Sequence, residues 1–545
     1  AWSNARGNLP ATHEIMFADL AINEKAVVYA ADHECDWPYI YKSTDGGTTW
    51  TNTFLTQNNQ NIATGYGAET GIFSFYNTGG FLGFDVADND PNVLLATNYG
   101  MPHLSYDGGT TWRQCYLDSA FQHPAGTQPT AADFYKTTGM NLTSGHYLHW
   151  IDQTHIFAAC TDIGNQYSED GGESWTFARN VFEPWQALKD GNWYVMAKHS
   201  TSNTLYAANS DLNDIYLEYR LSDDEINGAN GKLLTSSDTG QTWTVLHDFG
   251  HPVAWFVQDP ESPSRMFASV VHYPDGGIFR SENSGVTWTK LTLPARTEGH
   301  SYTIRLLGSG DLVATFSGRK DGNGNLTASS GVFYSEDNGN TWSDRSAAGM
   351  FYYTKDLTVS PHDPAKNTWF ANVWGGLYPT YDSNGGVWRT SNRGLTWTKI
   401  FEHKRAESLT VDPLDANAAY LATEYGGLWH TNTLNAATPA FFVAESFPYP
   451  RPKRVFFNPY DLNEMWVTTM GGAIWRGERA CQSELTLSGN PVPPGTYKAG
   501  SCIYSAGVVV AGSVTFDAGS HVSLEAGFEV KLGAEFFATA GEGCQ

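Results

Sequence analysis

Loops that set carboxylates beside aromatic and imidazole side chains are where this chain can do chemistry. The densest run is Asp32, His33, Glu34, Asp36 and Trp37; a second holds His272, Tyr273 and Asp275, and a third sets Glu424 beside Tyr425. Two carboxylates facing each other across a sugar can cleave a glycosidic bond, one as acid and the other as base or nucleophile. Asp32, Glu34, Asp36, Asp275, Asp321 and Glu424 are the candidates for such a pair. Aromatic faces stack on the apolar faces of sugar rings, and polar side chains bond to the hydroxyls. Trp37, Tyr99, His103, His272, Tyr273, Arg319, Trp374, Tyr378 and Tyr425 are expected to form that binding surface. The chain has 19 Trp and 28 Tyr, more than its structural repeats use. A Tyr/His pair with a cation to neutralise a uronate would instead suit a polysaccharide lyase, with His272 and Tyr273 as the candidates. Taken singly, each carboxylate reads first as a solvated loop residue.

A repeat positions these loops. Seven octamers of the form Ser-x-Asp-x-Gly-x-Thr-Trp begin at Ser43, Ser105, Ser168, Ser236, Ser281, Ser335 and Thr390. Asp or Asn bonds to its own backbone, and Gly supplies a left-handed turn, so each octamer is a self-satisfied hairpin turn. An apolar strand, an Asp-Pro or Asn-Pro turn and a second strand rich in β-branched and aromatic residues precede each copy. LGFDVADNDPNVLLATN before Ser105 and WFVQDPESPSRMFASVV before Ser281 are examples. Two further units, Leu409 to Asn432 and Val455 to Gly477, keep the hairpin and lose the octamer. Nine hairpins result, with second strands near Val28, Leu95, Phe157, Tyr206, Phe267, Val313, Phe370, Tyr420 and Trp466. Units of roughly forty to fifty residues are the length of a β-propeller blade. The expectation is an all-β single propeller of about nine blades (eight or ten are the alternatives) over residues 1–478. Ala1-Trp2-Ser3 would supply the missing outer strand of the last blade and remove an exposed edge. A short helix is expected within Leu217 to Ile226.

The octamer resembles the Asp-box repeat of β-propellers in sialidases, in the xyloglucanase-type family and in the sortilin luminal domain. That resemblance implies that the boxes sit at the periphery and that their Asp residues are structural. It places binding groups on loops at the axial face instead. YGGLW (Tyr425 to Trp429) and WGGLY (Trp374 to Tyr378) are similar to hairpins of the xyloglucanase-type family, which uses two seven-bladed domains around a cleft. Arg305 within Tyr302 to Leu307 resembles the sialidase opening but lacks its Ile-Pro. No family's catalytic set transfers whole.

Residues 479–545 differ in character. Ala-Gly recurs at 499, 506, 511, 518, 526 and 540 between alternating pieces such as SVTF and FEVKL, which predicts a small stacked-β or β-roll domain. The stretch resembles C-terminal modules of secreted proteins from Bacteroidetes-type bacteria. Six cysteines divide three and three between the two regions, and a Cys481–Cys544 bridge would close the small one. The chain begins at Ala1, consistent with removal of a targeting peptide. A secreted or cell-surface protein is expected.

A net charge of −25 excludes a phosphate backbone as partner, and no stretch nears the roughly eighteen apolar residues of a membrane span. No Cys/His spacing suggests zinc, and no metal is expected beyond a weak calcium-loop spacing at Asp321, Asn323 and Asn325. Two functions remain. One is an extracellular polysaccharide-cleaving enzyme, a glycoside hydrolase or a lyase, at the axial face. The other is a noncatalytic adhesion, glycan-binding or assembly protein that docks to a surface, or to itself, through its C-terminal region.

Overall fold

The computed structural model describes residues 6–33, 38–65, 80–98, 101–130, 133–137, 143–161, 163–177, 191–215, 217–350, 352–376 and 383–479. In the C-terminal region it describes 484–487, 492, 495–499, 502–505, 507–509, 513–518, 521–524, 528–531 and 534–540. The chain is all-β, and its repeated units are hairpin sheets. The fourth is typical: Asn192–Lys198, Leu205–Ser210, Lys232–Ser236 and Thr244–Asp248 pair in order, each antiparallel to the last. Each second strand expected from sequence lies in an observed one, from Val28–Asp32 to Asp461–Thr469. Ile156–Cys160, Leu205–Ser210, Met266–Val270, Trp369–Trp374 and Ala419–Thr423 are buried at every position. A strand covered on both faces reads as a continuous apolar run, not an alternating one. Alanines at 158, 207, 268, 314, 371 and 422 keep these strands thin enough for the sheets on either side.

The octamers close the third and fourth strands of seven sheets by one hydrogen-bond pattern. In the fourth sheet, Ser236 Oγ donates to Asp238 Oδ1 at 2.7 Å and accepts from Gly240 N at 2.9 Å. Thr242 N donates to the same carboxylate at 2.9 Å. The other six copies repeat these contacts. Gly240 has φ +83°, and a Cβ there would come within 2.1 Å of Phe157 on the preceding sheet. The glycine therefore lets this turn rest on the preceding sheet's second strand.

That contact locates the ring's seam. Gly172 makes it in the third sheet, and the ring it would strike at 2.1 Å is Trp466 of the ninth. Gly471 N donates to Ser144 Oγ at 2.9 Å, Ala473 N to Thr143 O at 2.9 Å, and Phe456 packs edge-on against Tyr147. The inner strands Gly145–Trp150 and Pro452–Asn458 thus lie side by side. The third to ninth sheets close a ring of seven, where the sequence reading expects about nine blades in one ring. Nine hairpins are present, but a hairpin's sequence does not reveal which ring it joins. The first two sheets pack on each other through Phe54, Phe81 and Trp112. They connect to the third through the Leu117–Thr137 bridge. The expected closing strand Ala1–Ser3 lies outside the described residues. Nearby, Asn8 bonds reciprocally with Trp50, at 2.9 and 2.6 Å, in the first sheet.

The C-terminal region is a parallel stack. Gly495–Ala499, Ser513–Ala518 and Glu535–Ala540 form one ladder; Glu484–Leu487, Cys502–Ser505 and His521–Leu524 form a second. Val508–Val509 with Glu529–Val530 forms a third. Ile503, Val509, Val514 and Phe516 fill its centre, against which Leu414 and Leu462 of the ring pack. Leu414 lies in a turn between first and second strands and Leu462 at the start of a second strand, both on the octamer side of the ring. Cys35, Cys481 and Cys544 lie outside the described residues; Cys160 is a buried free thiol.

Candidate functional site

The opposite, mouth face is formed by loops leading into each inner strand and loops joining second to third strands. All seven inner strands of the ring slip register near their start, between Gly145 and Tyr147, Trp193 and Val195, Val253 and Trp255, Ser301 and Ile304, Thr354 and Asp356, Ala406 and Ser408, and Pro452 and Arg454. A bulge leaves its extra residue unpaired and re-aims the side chain. Here it turns His146, Tyr194, Lys355, Glu407 and Lys453 into one cavity of about 40 Å³ on the ring's axis.

This tier is a network of buried charge. Lys355 Nζ stands 2.6 Å from Glu407, and Lys453 Nζ is 2.9 Å from His146 Nδ1 and 3.7 Å from Asp214. Glu424 meets Arg405 at 3.4 Å and Arg451 at 3.6 Å. One step deeper, Asp356 takes Arg454 at 2.9 Å and Arg305 at 3.3 Å, and both guanidiniums lie over the Trp255 ring. Burial pushes Lys453 down to about 8, lowers Lys355, and takes His146 well below the imidazole range. Burial and the neighbouring Glu407 raise Glu424 above the usual carboxylate range. Asp356 is held low against its burial by Arg454 and Arg305. Perturbed groups gathered in one cavity make this tier a candidate functional site.

A stopper covers the tier. The segment between Leu205–Ser210 and Lys232–Ser236 carries the expected helical turns, Glu218–Leu221 and Asp223–Ile226. Its Ile215, Leu221 and Ile226 are buried among Tyr194, Tyr302, Tyr353 and Trp374. Tyr302 Oη donates to Ile215 O at 2.9 Å. Asp214 pairs with Lys453, Glu218 with Arg405 and Asp223 with Arg319, so three carboxylates fasten the segment to separate sheets.

At the stopper's other side, four residues singled out from sequence meet. Arg319 lies over the Tyr273 ring at 3.9 Å and is held by Asp223 at 2.6 Å and Glu298 at 3.3 Å. His272 stacks on His251 with ring centroids 3.7 Å apart, and its Nδ1 is 3.8 Å from Asp275. Burial lowers both imidazoles. Beneath them His300 is fully buried, and burial pushes it down to about 3. Tyr273 and Asp275 are exposed, so this cluster, unlike the axial tier, opens to solvent.

Other candidates fall elsewhere. Asp32 is wholly buried 2.9 Å from His13, so it faces no open groove; it lies in the first sheet, apart from Glu424 in the eighth. His103 is a core residue packed edge-on against Phe54 and Tyr116, not a sugar contact. Trp374 is also buried, with Lys355 and Arg405 over its ring at 4.2 and 4.1 Å, which leaves no face for a sugar. Tyr425 is 54% exposed, with Arg451 above it. The Asp321 carboxylate accepts the Asn323 and Asn325 N–H groups at 2.9 Å, so it closes a turn in place of the suggested calcium loop. Glu34, Asp36, Trp37, Tyr99 and Tyr378 lie outside the described residues. Lys355 and Lys453 also belong to the tier, although no motif marks them. Their signal was position: each occupies the same bulge near the start of an inner strand.

No family model matches the chain. Over 240 residues it is 24% identical to a xyloglucanase of Hypocrea jecorina (strain QM6a), a stretch covering 40% of this chain and 25% of that protein. The chain thus spans about a quarter of that curated relative. Among solved structures, an ancestral GH74 enzyme is similar at 12% identity and TM-score 0.49, covering 85% of this chain and 72% of that one. PorZ, a surface component of the type-IX secretion system of Porphyromonas gingivalis, is similar at 12% identity and TM-score 0.40, covering 86% and 62%. These two solved structures say nothing about the chain's function.

Proposed function

We propose that this chain is an extracellular carbohydrate-active protein that cleaves a polysaccharide as a glycoside hydrolase at the mouth of the ring. The observation that carries this reading is the pair Glu407 and Glu424. Burial and the nearby Glu407 favour the protonated form of Glu424, whereas Glu407 is salt-bridged to Lys355. A carboxylate raised by its surroundings beside a second carboxylate paired with a cation is an arrangement suited to acid/base cleavage. Glu424 would donate the proton to the leaving oxygen, with Glu407 as the second carboxylate. Exposed Tyr425 would stack on the sugar. The likeness to a xyloglucanase supports a polysaccharide as the substrate class, and secretion or display at the cell surface follows from that substrate.

A noncatalytic, glycan-binding reading has one observation in its favour: the stopper that fills the axis over Glu407 and Glu424. One experiment separates the two. Purified protein is offered a panel of plant, algal and bacterial polysaccharides, with reducing-sugar release and binding measured in parallel. Hydrolysis that falls at least about 100-fold in Glu424→Gln, with binding retained, supports the enzyme. Binding without release from any polysaccharide overturns it in favour of the platform.

A further inference from the structure

We infer that His251, His272 and Asp275 form a binding site for a borderline divalent transition metal, of which Zn²⁺ is the probe. Each residue offers one donor atom, and the three donors lie within 4.8 Å of one another. They come from two loops of one sheet: His251 leads into Val253–Gln258, while His272 and Asp275 follow Met266–Val270. The sequence spacing hides the group, because a whole hairpin separates its two imidazoles.

The backbone is shaped to hold the donors together. Gly276 N donates to His272 O at 3.1 Å, and Asp275 N donates to His272 Nδ1 at 3.1 Å, which winds the loop tightly. A Cβ at Gly276 would come within 2.4 Å of His272 N and 2.6 Å of Gly299 O, so only glycine fits that turn. His251 Nδ1 is buried with no hydrogen-bond partner among the described residues, although buried polar atoms are nearly always bonded. A metal ion would satisfy it.

The donor set selects the class of ion. Imidazole suits zinc, copper, iron and nickel, whereas calcium and magnesium require shells of oxygen. Three protein donors with Asp275 open to solvent leave a position for water or for a ligand's oxygen. The surrounding field tolerates a dication. Asp223, Asp275 and Glu298 stand near the group against Arg319 and Lys290, three carboxylates to two cations. Binding would pin the two loops of this sheet to each other at the rim of the mouth.

The test is Zn²⁺ titration of chelator-treated, full-length protein by calorimetry, with the unfolding midpoint followed in parallel. One Zn²⁺ per chain and a Zn²⁺-dependent rise in the midpoint are expected. His251→Ala and His272→Ala should each weaken binding by at least about 100-fold, since losing an outer-shell partner alone costs about 10- to 100-fold. Asp275→Asn, at an exposed position, should weaken it about tenfold while leaving the metal-free midpoint unchanged. That variant decides the matter if either histidine variant fails to fold. Absence of saturable binding, or binding unchanged in Asp275→Asn and the histidine variants, overturns the site.

Discussion

The octamer turns and the inner-strand bulges are both devices repeated around the ring, one on each face, and they handle polarity in opposite ways. Each octamer satisfies its Asp or Asn within eight residues, by its own hydroxyl and backbone groups. The bulges turn charged side chains into the axis, where partners come from other sheets: Lys355 from the seventh meets Glu407 from the eighth, and Lys453 from the ninth meets His146 from the third. Local satisfaction makes a unit that can be copied and is chemically inert. Satisfaction across sheets couples the units and shifts their proton affinities, which makes chemistry available there.

The sharpest way to break the contrast is to remove one carboxylate from each device. Asp356 is buried between Arg305 and Arg454 and also accepts from Thr303 Oγ1 at 2.9 Å. Asp356→Ala strands two guanidiniums in the ring's interior. Deleting one partner of a buried pair costs about 3–5 kcal/mol, because the remaining charge is uncompensated. A chemical-denaturation midpoint should fall accordingly. A loss under about 1 kcal/mol would mean that water reaches this tier and that its charges are not coupled.

The matching change in an octamer should cost less. Asp238→Ala removes acceptors for Thr242 N, Thr242 Oγ1 and Ser236 Oγ, at a turn whose groups can turn to water. Losses at comparable helix caps run to about 0.5–2 kcal/mol. About 1–2 kcal/mol by denaturation, with glycan binding and any hydrolysis unchanged, is the expected result. An equal loss from Asp238→Ala and Asp356→Ala would erase the distinction between the two faces.

The same contrast explains what the sequence reveals. An octamer is legible because its bonds are local, so the residue types it needs stand at fixed spacing: Ser168, Asp170, Gly172 and Ser174 announce their turn unaided. The second strands are legible because burial on both faces writes an unbroken apolar run. Ring membership is not, because Trp466 looks the same in a strand that meets the third sheet as in one that meets the first. Most of the site is written in the same nonlocal way. His272, Tyr273, Asp275 and Arg319 could be named as polar loop residues, but their convergence depends on two neighbouring sheets and the stopper. Lys355 and Lys453 were hidden in runs read as strand.

The smallest expected effect, and the cleanest separation of the two faces, lies in their pH windows. Burial works against ionisation of Asp238, but Thr242 and Ser236 hold it at about 2, below its ordinary 3.8. Between those values the unfolded chain binds more protons, so the octamer's contribution is present above the unfolded value and is lost as pH falls through about 2. Lys453 is shifted from 10.5 down to about 8 by burial, so here too the unfolded chain binds more protons between the two values. Its sign therefore runs the same way in a different window: the cost of burying the charged amine is full below about 8 and is relieved as pH rises toward 10.5. Stability of wild type and Lys453→Met, compared by denaturation from about pH 7 to 10.5, should show a rising contribution in wild type that the variant lacks. The acid limb, from about pH 4 to 2, should be the same in both proteins and shallower in Asp238→Ala. If Lys453→Met flattens the acid limb as well, the two faces are not energetically separate, and the octamers and the axial tier must be treated as one network.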